Sequence, residues 1–283
     1  MPELPEVETV CRGLRPVLEG TRLEAVKVHR PDLRFPFPER FTDRLSGVRV
    51  TALSRRAKYL LVHLETAEVW VVHLGMTGRF VVEGLRPGQF VHDVDPKARH
   101  RHMELVTSKG QSVAYEDPRR FGYMQLIPEA DMDTHPSFAK LGPEPLGNGF
   151  HGPALYAALK GRKQAIKLVL LDQSVVAGLG NIYVCEALFL AGIDPDTPAG
   201  TLSAAQCDQL VPKIRGVLEA AIAAGGSSIR DFAHSDGELG YFQHSFAVYG
   251  REGEACVRTR CRGVIARKAQ GGRSTFYCPV CQV

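Results

Sequence analysis

The chain has 283 residues, of which 44% are hydrophobic and 23% charged, with a formal net charge of +4. This length exceeds that of one typical domain, and the composition is that of an ordinary globular protein, so two domains are expected. No apolar run reaches the roughly 18 residues of a membrane-spanning helix, and the first residues carry carboxylates where a signal peptide carries Lys or Arg. These features exclude an integral membrane protein and predict a cytoplasmic one.

The N-terminal half of the chain predicts one helix followed by strands. Apolar residues recur at helical spacing from 3 to 18, and Pro2 suits the entry into a first helical turn. Short runs rich in Val, Leu and Phe follow, separated by Gly, Pro and Asp, at 23–28, 48–53, 59–64, 68–74, 79–84, 102–106 and 123–127. Strands at this spacing predict a sandwich or barrel. We assign residues 1–134 to this N-terminal domain.

The second half of the chain predicts a linker and then a helical domain. Residues 135–153 are rich in Pro and Gly and lack periodicity, which is typical of a linker. A helical domain is expected at 154–242, and it ends in a Gly/Ser-rich stretch, 225–242, that predicts a mobile loop. Its helices are predicted at 154–171, 181–191 and 203–224, the last capped by Ser203.

Four of the seven cysteines are concentrated in the last 28 residues, as Cys256-x4-Cys261-x16-Cys278-x2-Cys281. Two close pairs separated by the length of a hairpin fit a tetrahedral four-thiolate zinc site. A cytosolic chain does not normally keep disulfides, and so short a segment cannot build a core of its own. One structural Zn²⁺ within 243–283 is therefore predicted; free or redox-active cysteines are the alternative.

The same C-terminal segment carries the positive charge of the chain. From residue 251 onwards, seven Lys or Arg stand against two Glu, a net of +5, whereas the residues before it sum to −1. Arg267, Lys268 and Arg273 surround a Gly-Gly turn, so the tip of the hairpin is expected to be cationic. A basic zinc hairpin most often binds nucleic acid, although a charge run can also be a solvated face.

Other motifs carry weaker signals. Gly178 and Gly180 precede a helix with Asn181 as the predicted N-cap, where free N–H groups could receive a phosphate. A plain tight turn is the simpler interpretation, because the segment lacks a third dinucleotide-binding glycine and a P-loop lysine. No Gly-x-Ser-x-Gly, kinase-like or His-Glu-x-x-His pattern is present, so the usual hydrolase and metalloprotease mechanisms have no support.

Motifs along nearly the whole chain resemble those of the formamidopyrimidine-DNA glycosylases. The resemblance implies an α+β multi-domain fold with an N-terminal β-sandwich, a helix-two-turn-helix domain and a C-terminal zinc hairpin, with DNA bound across the cleft between domains. One feature departs from the family, whose first cysteine pair is usually Cys-x2-Cys. The motifs are PELPEVET at 2–9, RRAKYL at 55–60, HLGMTG at 73–78, DPRRFG at 117–122, LGPEPL at 141–146, GLGNIY at 178–183 and the terminal cysteines.

The resemblance also implies an activity and its catalytic residues. It implies a bifunctional glycosylase and abasic-site lyase that excises oxidised purines, 8-oxoguanine and formamidopyrimidines, from double-stranded DNA and cleaves the strand by β,δ-elimination. Pro2 would attack C1′ and form a Schiff base. Glu3 is implied as general acid and base, and Lys58 as a second acid in β-elimination. Arg273 would bind phosphate and assist the second elimination.

The resemblance assigns further residues to DNA binding. An extruded nucleotide leaves a gap in the duplex, which Met76, Arg119 and Phe121 would fill. Core packing is the alternative for Met76 and Phe121. The loop at 225–242 matches the segment that covers the extruded base. Contacts to the DNA backbone around the lesion are implied for His73, His100, Lys163, Lys167 and Asn181.

Two other functions stay open at the level of sequence. A sister glycosylase for oxidised pyrimidines usually has Gly at the position of Leu4, and the run at 141–146 also favours the purine enzyme. A non-catalytic zinc protein that binds DNA would not need Pro2 or Glu3. A monomer without membrane association is expected in either case.

Overall fold

The computed structural model describes residues 2–83, 100–227 and 242–283. The chain forms two compact units, Met1–Ala139 with Ile222–Tyr241, and Lys140–Ala221 with Phe242–Val283. None of the helices within the described ranges has the length and apolar character needed to cross a membrane. The four-part division at 1–134, 135–153, 154–242 and 243–283 stays a prediction. Most of the predicted loop at 225–242 lies outside the described residues.

The first unit opens with the predicted amphipathic helix, α1 (Leu4–Leu18). Its apolar positions, including Val7, Val10 and Leu14, are fully buried or nearly so. Glu3 is the N-cap, and the Glu6 carboxylate accepts the Glu3 N–H at 2.9 Å, which satisfies one of the free donors of the first turn. The prediction of an N-terminal helix is confirmed.

The first unit contains the strands β1 (Leu23–Val28), β2 (Val50–Arg56), β3 (Tyr59–Leu64), β4 (Glu68–His73), β5 (Arg79–Glu83), β6 (Arg101–Thr107), β7 (Ser112–Glu116) and β8 (Tyr123–Pro128). They form a sandwich of two antiparallel sheets, in the orders β2-β3-β4-β8 and β1-β6-β7-β5. Side chains from both sheets and from α1 share one core, in which Trp70, Phe80 and Tyr115 are buried. The sequence prediction missed β7 and a short helix, α2 (Phe41–Leu45).

The second unit contains four helices, as against three in the sequence prediction. The prediction of a single helix at 154–171 is wrong, because Gly161 takes a left-handed φ of 75° and the helix ends before it. The carbonyls of Arg162 and Gln164 accept from the backbone of residues 199–200 instead. The Ser203 cap is confirmed, since its Oγ accepts the Gln206 N–H at 3.2 Å. The helices are α3 (Gly152–Leu159), α4 (Ile166–Leu170), α5 (Asn181–Ala191) and α6 (Ala204–Ala223).

A two-stranded hairpin, β9 (Ala266–Gln270) and β10 (Arg273–Tyr277), lies in the C-terminal segment. Its turn is Gly271-Gly272, and both residues have positive φ, which glycine adopts without steric cost. The hairpin segment has no core of its own, and its apolar residues share a cluster with Cys185 and Phe189 of α5. The helical region and the zinc hairpin are thus built on a common core.

Candidate functional site

The start of α1 and the turn between β2 and β3 lie on elements that contact each other. Pro2 and Glu3 are buried at the entry to α1. Arg55 at the end of β2 donates to the Glu8 carboxylate of α1 at 3.1 Å, which ties the two elements together. Lys58 occupies the turn after β2, with only 8% of its surface exposed. The first unit therefore holds the predicted nucleophile, general acid and lysine on adjoining segments.

His73, at the end of β4, is neutral at pH 7. Burial, together with the charges of Lys58 and Arg34, lowers the pKa of His73 from 6.5 to about 4. Its ring stacks on Tyr123 with centroids 5.1 Å apart, and its Nδ1 accepts the Gly75 N–H at 3.1 Å. Because Nδ1 is an acceptor, the ring proton lies on Nε2. His73 can therefore donate to a phosphate oxygen without titrating near neutral pH.

The loop that carries Met76 packs against the turn that carries Phe121. A Cβ at Gly75 would lie 2.3 Å from the Gly122 nitrogen, so the two backbones touch where only glycine fits. Phe121 is 44% exposed, and the Arg119 guanidinium lies 4.7 Å from its ring centroid. Met76 is half-buried. The structure brings these three predicted gap-filling residues together, and it leaves Phe121 outside the core.

A buried carboxylate, Asp117, connects the same two loops. One of its oxygens accepts from the Thr77 hydroxyl, and the other accepts the Gly122 N–H at 2.8 Å. The Thr77 oxygen accepts the Arg119 N–H at 3.2 Å, and the Asp117 carbonyl accepts from His102 Nε2 at 2.8 Å. An unsatisfied buried polar group costs roughly 1–3 kcal/mol, so this network strongly favours one loop geometry. Asp117 therefore acts as a positioning residue for the exposed tips of both loops.

Three of the predicted DNA contacts are exposed cations. Arg119, Lys163 and Arg273 are exposed, and none of them forms a hydrogen bond or ion pair through its side chain in the described ranges. His100 uses its backbone carbonyl to accept the Asp117 N–H at 3.1 Å, and its ring stays half-buried. Cations without a counterion are available to phosphates.

Lys167 and Asn181 bind protein groups through their side chains, unlike the exposed cations that are free to contact phosphate. Lys167 is fully buried, and its ammonium donates to the Ser274 carbonyl at 3.2 Å and to the Thr275 hydroxyl at 2.6 Å. Asn181 donates to the same carbonyl at 2.9 Å. The N-cap of α5 is Gly180, so the predicted capping role of Asn181 is wrong. Both side chains fix the strand that begins with the predicted phosphate-binding arginine.

The four C-terminal cysteines form a metal-binding cluster. All four Sγ atoms lie within 4.8 Å of one another, with 3.8 Å between Cys256 and Cys281 and 3.7 Å between Cys261 and Cys278. Tetrahedral zinc with Zn–S bonds of about 2.3 Å requires S–S separations of about 3.8 Å, whereas a disulfide needs about 2.05 Å. The thiols therefore fit one structural Zn²⁺, as the spacing predicts.

The unusual four-residue spacing of the first cysteine pair has a structural explanation. Arg258 in this knuckle donates to the carbonyls of Phe189 and Leu190 at the C-terminal end of α5, and its guanidinium stacks 4.9 Å from the Phe189 ring centroid. A cation at a helix C-terminus is favourable because it satisfies free carbonyls and the helix dipole. The longer knuckle thus joins the zinc centre to α5 and leaves the thiolate cluster intact.

Sequence reasoning missed several residues that shape the site. Asp117 and Thr77 lie inside recognised motifs, but no local pattern shows that they bind each other across 40 residues. Glu186 is buried and accepts N–H groups from residues 247 to 249, which anchors the entry to the zinc segment. Its isolation as the one charged residue of an otherwise apolar helix was the available signal.

Family models match the chain in three consecutive parts. Residues 1–124 match the formamidopyrimidine-DNA glycosylase N-terminal domain. Residues 141–233 match the helix-two-turn-helix (H2TH) domain of the same enzymes. Residues 253–283 match the zinc finger found in FPG and IleRS. The three matches follow the order of sandwich, helices and zinc hairpin.

Relatives are similar over full length. Enzymes named formamidopyrimidine-DNA glycosylase from Caulobacter sp. (strain K31) and Phenylobacterium zucineum are 55% and 57% identical, each covering 100% of both chains. The MutM (Fpg) crystal structure from Thermus thermophilus has a TM-score of 0.85 at 40% identity, over 99% of this chain and 98% of that one. A Lactococcus lactis Fpg mutant in complex with a Fapy-dG-containing DNA has a TM-score of 0.87 at 34% identity, over 99% of both chains.

The sandwich, the H2TH helices and the four-cysteine hairpin together define a zinc-finger DNA glycosylase. The chain belongs to the formamidopyrimidine-DNA glycosylase family. It is an enzyme of base-excision repair that acts on damaged purines and combines glycosylase with abasic-site lyase activity.

Proposed function

We propose that this enzyme excises 8-oxoguanine and formamidopyrimidines from double-stranded DNA, and then cleaves the abasic site by β,δ-elimination through a Schiff base on Pro2. The observation that carries the proposal is the position of Pro2, directly before Glu3 and α1, with Lys58 on the adjoining turn. The positive end of a helix dipole disfavours protonation of an amine there, which keeps the nitrogen lone pair available. The DNA complexes of the Lactococcus lactis neighbours support the choice of substrate.

The chemistry begins with the secondary amine of Pro2. Its nitrogen bonds to C1′ as the bond from C1′ to the base breaks, and the proton that this nitrogen then loses neutralises the departing base. Glu3 supplies the proton that opens the sugar ring. The resulting iminium acidifies the C2′ proton, and the Glu3 carboxylate left after ring opening takes this proton as the 3′ phosphate leaves in β-elimination. Lys58 stabilises this step as an acid or as a nearby cation.

The second elimination expels the 5′ phosphate, and hydrolysis of the iminium then releases the enzyme. We assign phosphate binding in this step to Arg273, whose exposed guanidinium has no partner in the described part of the chain. Lys167 and Asn181 contribute by holding the neighbouring Ser274 carbonyl. On this view Lys167 acts on DNA through the strand it fixes. The zinc ion supplies structural stability to the hairpin.

Duplex recognition is assigned to the exposed tips of the first unit and to unpaired polar groups. Met76, Arg119 and Phe121 occupy the gap that base extrusion leaves, and Arg119 can bond the orphaned partner base. We assign contacts with the DNA backbone to the Nε2–H group of His73 and to the side chains of His100 and Lys163.

The direct test is strand cleavage of labelled duplexes that contain either 8-oxoguanine or an oxidised pyrimidine. We expect the 8-oxoguanine duplex to be cleaved about tenfold faster or more, because a site that bonds purine-specific groups discriminates strongly against a base that lacks them. Faster cleavage of the oxidised pyrimidine would assign the chain to the sister activity. DNA binding with cleavage of neither substrate would leave a non-catalytic binding protein.

The gap-filling assignment predicts a substrate-dependent effect of Phe121→Ala. Excision from an 8-oxoguanine duplex should slow by about 10- to 100-fold, because extrusion of a paired base costs a few kcal/mol that the ring helps to offset. Cleavage of a preformed abasic site should change little. Single-turnover rates on both substrates measure this ratio, and Tyr156→Ala is a matched control because Tyr156 is similarly exposed outside the turn. Equal losses on the two substrates would reduce Phe121 to a structural role.

A further inference from the structure

We propose that Arg34 is an additional phosphate-binding residue, and that residues 31–37 extend the DNA-contacting surface beyond the turn at 117–122. The inference rests on the proposed function, since it needs a DNA duplex to be bound at Phe121. It adds a contact on a segment of the first unit that none of the recognised motifs includes.

The backbone of the 31–37 loop is attached to the gap-filling turn. Arg34 donates its N–H to the Gly122 carbonyl at 3.1 Å, directly after Phe121. Phe35 packs edge-on against Tyr123, with ring centroids 5.4 Å apart. The loop base is closed by the paired backbones of residues 32 and 36, and Leu33 is buried in the core. A loop anchored at these points presents its remaining side chains beside the turn.

Arg34 and Phe35 form a second exposed arginine–phenylalanine pair. The Arg34 guanidinium lies 5.5 Å from the Phe35 ring centroid, and Phe35 is 53% exposed. The pair at Arg119 and Phe121 has the same composition, with a separation of 4.7 Å and 44% exposure of the ring. Each pair places a guanidinium beside a half-exposed aromatic ring, so the two neighbouring segments present the same surface chemistry.

The charges around this loop are unbalanced. Within the described ranges, Arg34, Arg119 and Arg120 form no side-chain ion pair. The nearby carboxylate, Asp32, is already bound by Arg30 through two guanidinium nitrogens. Arg120 is also attracted to Asp32, so this one carboxylate serves both Arg30 and Arg120. An anion placed among the remaining guanidinium groups lowers their mutual repulsion.

The phosphodiester backbone of DNA is the anion that fits this surface. The backbone of Arg34 is bonded to the Gly122 carbonyl, and the Arg34 charge is close enough to His73 to contribute to its lowered pKa. Since His73 is assigned to the DNA backbone, a strand that passes His73 and Phe121 also comes within reach of Arg34. The Phe35 ring holds the guanidinium beside it, and the planar fork of a guanidinium matches a pair of phosphate oxygens.

The experiment measures affinity for a duplex with an uncleavable tetrahydrofuran abasic analogue, by fluorescence anisotropy, between about 50 and 200 mM salt. Affinity falls as salt rises, and each phosphate contact contributes about 0.9 to the steepness of log affinity against log salt. Arg34→Ala should therefore make this dependence shallower by about that amount. Arg34→Gln, which keeps the methylenes that stack on Phe35, should give the same loss, and Arg34→Lys should retain the slope.

Lys109→Ala is the matched control, because Lys109 is an exposed, unpaired cation at the opposite end of β7. It should leave the slope unchanged. An unchanged slope in both Arg34→Ala and Arg34→Gln would overturn the inference, and so would a fall in affinity at constant slope. A wild-type chain that neither binds nor cleaves lesion DNA would instead overturn the proposed function.

Discussion

Replacement of Pro2 by Thr should abolish the covalent adduct that borohydride traps between this enzyme and 8-oxoguanine DNA. The adduct is the reduced form of the iminium between the Pro2 nitrogen and C1′, and a secondary amine forms an iminium that cannot lose a proton to become a neutral imine. We expect trapping to fall at least 10³-fold, on the order of the loss of a covalent nucleophile. Zinc content and affinity for lesion DNA should stay near the wild-type values, because Pro2 precedes α1 and lies outside the zinc cluster.

The chemistry requires that the Pro2 nitrogen be free. In the translated chain Met1 acylates this nitrogen, and an amide has no nucleophilic lone pair. A small residue after Met normally permits its removal, so the active form is expected to begin at Pro2. Intact-mass measurement before trapping separates the two forms. Full adduct yield from protein with verified Met1 would exclude Pro2 as the nucleophile, and Lys58 would be the first lysine to replace.

The secondary structure of this chain is largely encoded locally. The apolar period of residues 3–18 gives α1, and the runs at 23–28 and 59–64 coincide with β1 and β3. Ser203 caps α6 because a hydroxyl and a glutamine three residues later can bond each other's backbone. Such signals depend on neighbours in sequence, so they are readable without a structure. The break at Gly161 was missed because its compensating bonds come from residues 199–200.

The geometry of the site is harder to predict from the sequence than the fold, because it depends on partners far apart in sequence. Cysteine spacing predicts the zinc cluster, since ligand type and loop length are local properties. The bond between Asp117 and Thr77 crosses 40 residues, and that between Lys167 and Thr275 crosses 108. A lysine that matches a DNA-contact motif gives no sign in sequence that its ammonium is buried against another strand. Motifs identify the candidate site residues. The structure distinguishes the side chains that are exposed to a ligand from those that hold other site residues in position.

Loss of zinc should have the second large effect, because the hairpin depends on the metal for its fold. Cys278→Ser should lose the bound Zn²⁺, since removal of one of four thiolates opens the tetrahedral site. Zinc binding supplies on the order of 10 kcal/mol to the folding of small zinc fingers, far more than the few apolar side chains of this hairpin. The hairpin is therefore expected to unfold locally. The zinc content measured by elemental analysis should fall from one ion per chain to near zero.

Loss of the hairpin should also abolish DNA binding. The Ser274 carbonyl and the Thr275 hydroxyl would no longer accept from the buried ammonium of Lys167, and Arg273 would lose its fixed position. Cys207→Ala is the matched control, because Cys207 is a buried cysteine of α6 outside the cluster and its replacement should keep both metal and affinity. Affinity is measured on the tetrahydrofuran duplex, so that a defect in catalysis does not enter. A metal-free Cys278→Ser protein that binds this duplex with full affinity would show that the zinc hairpin is dispensable for DNA recognition.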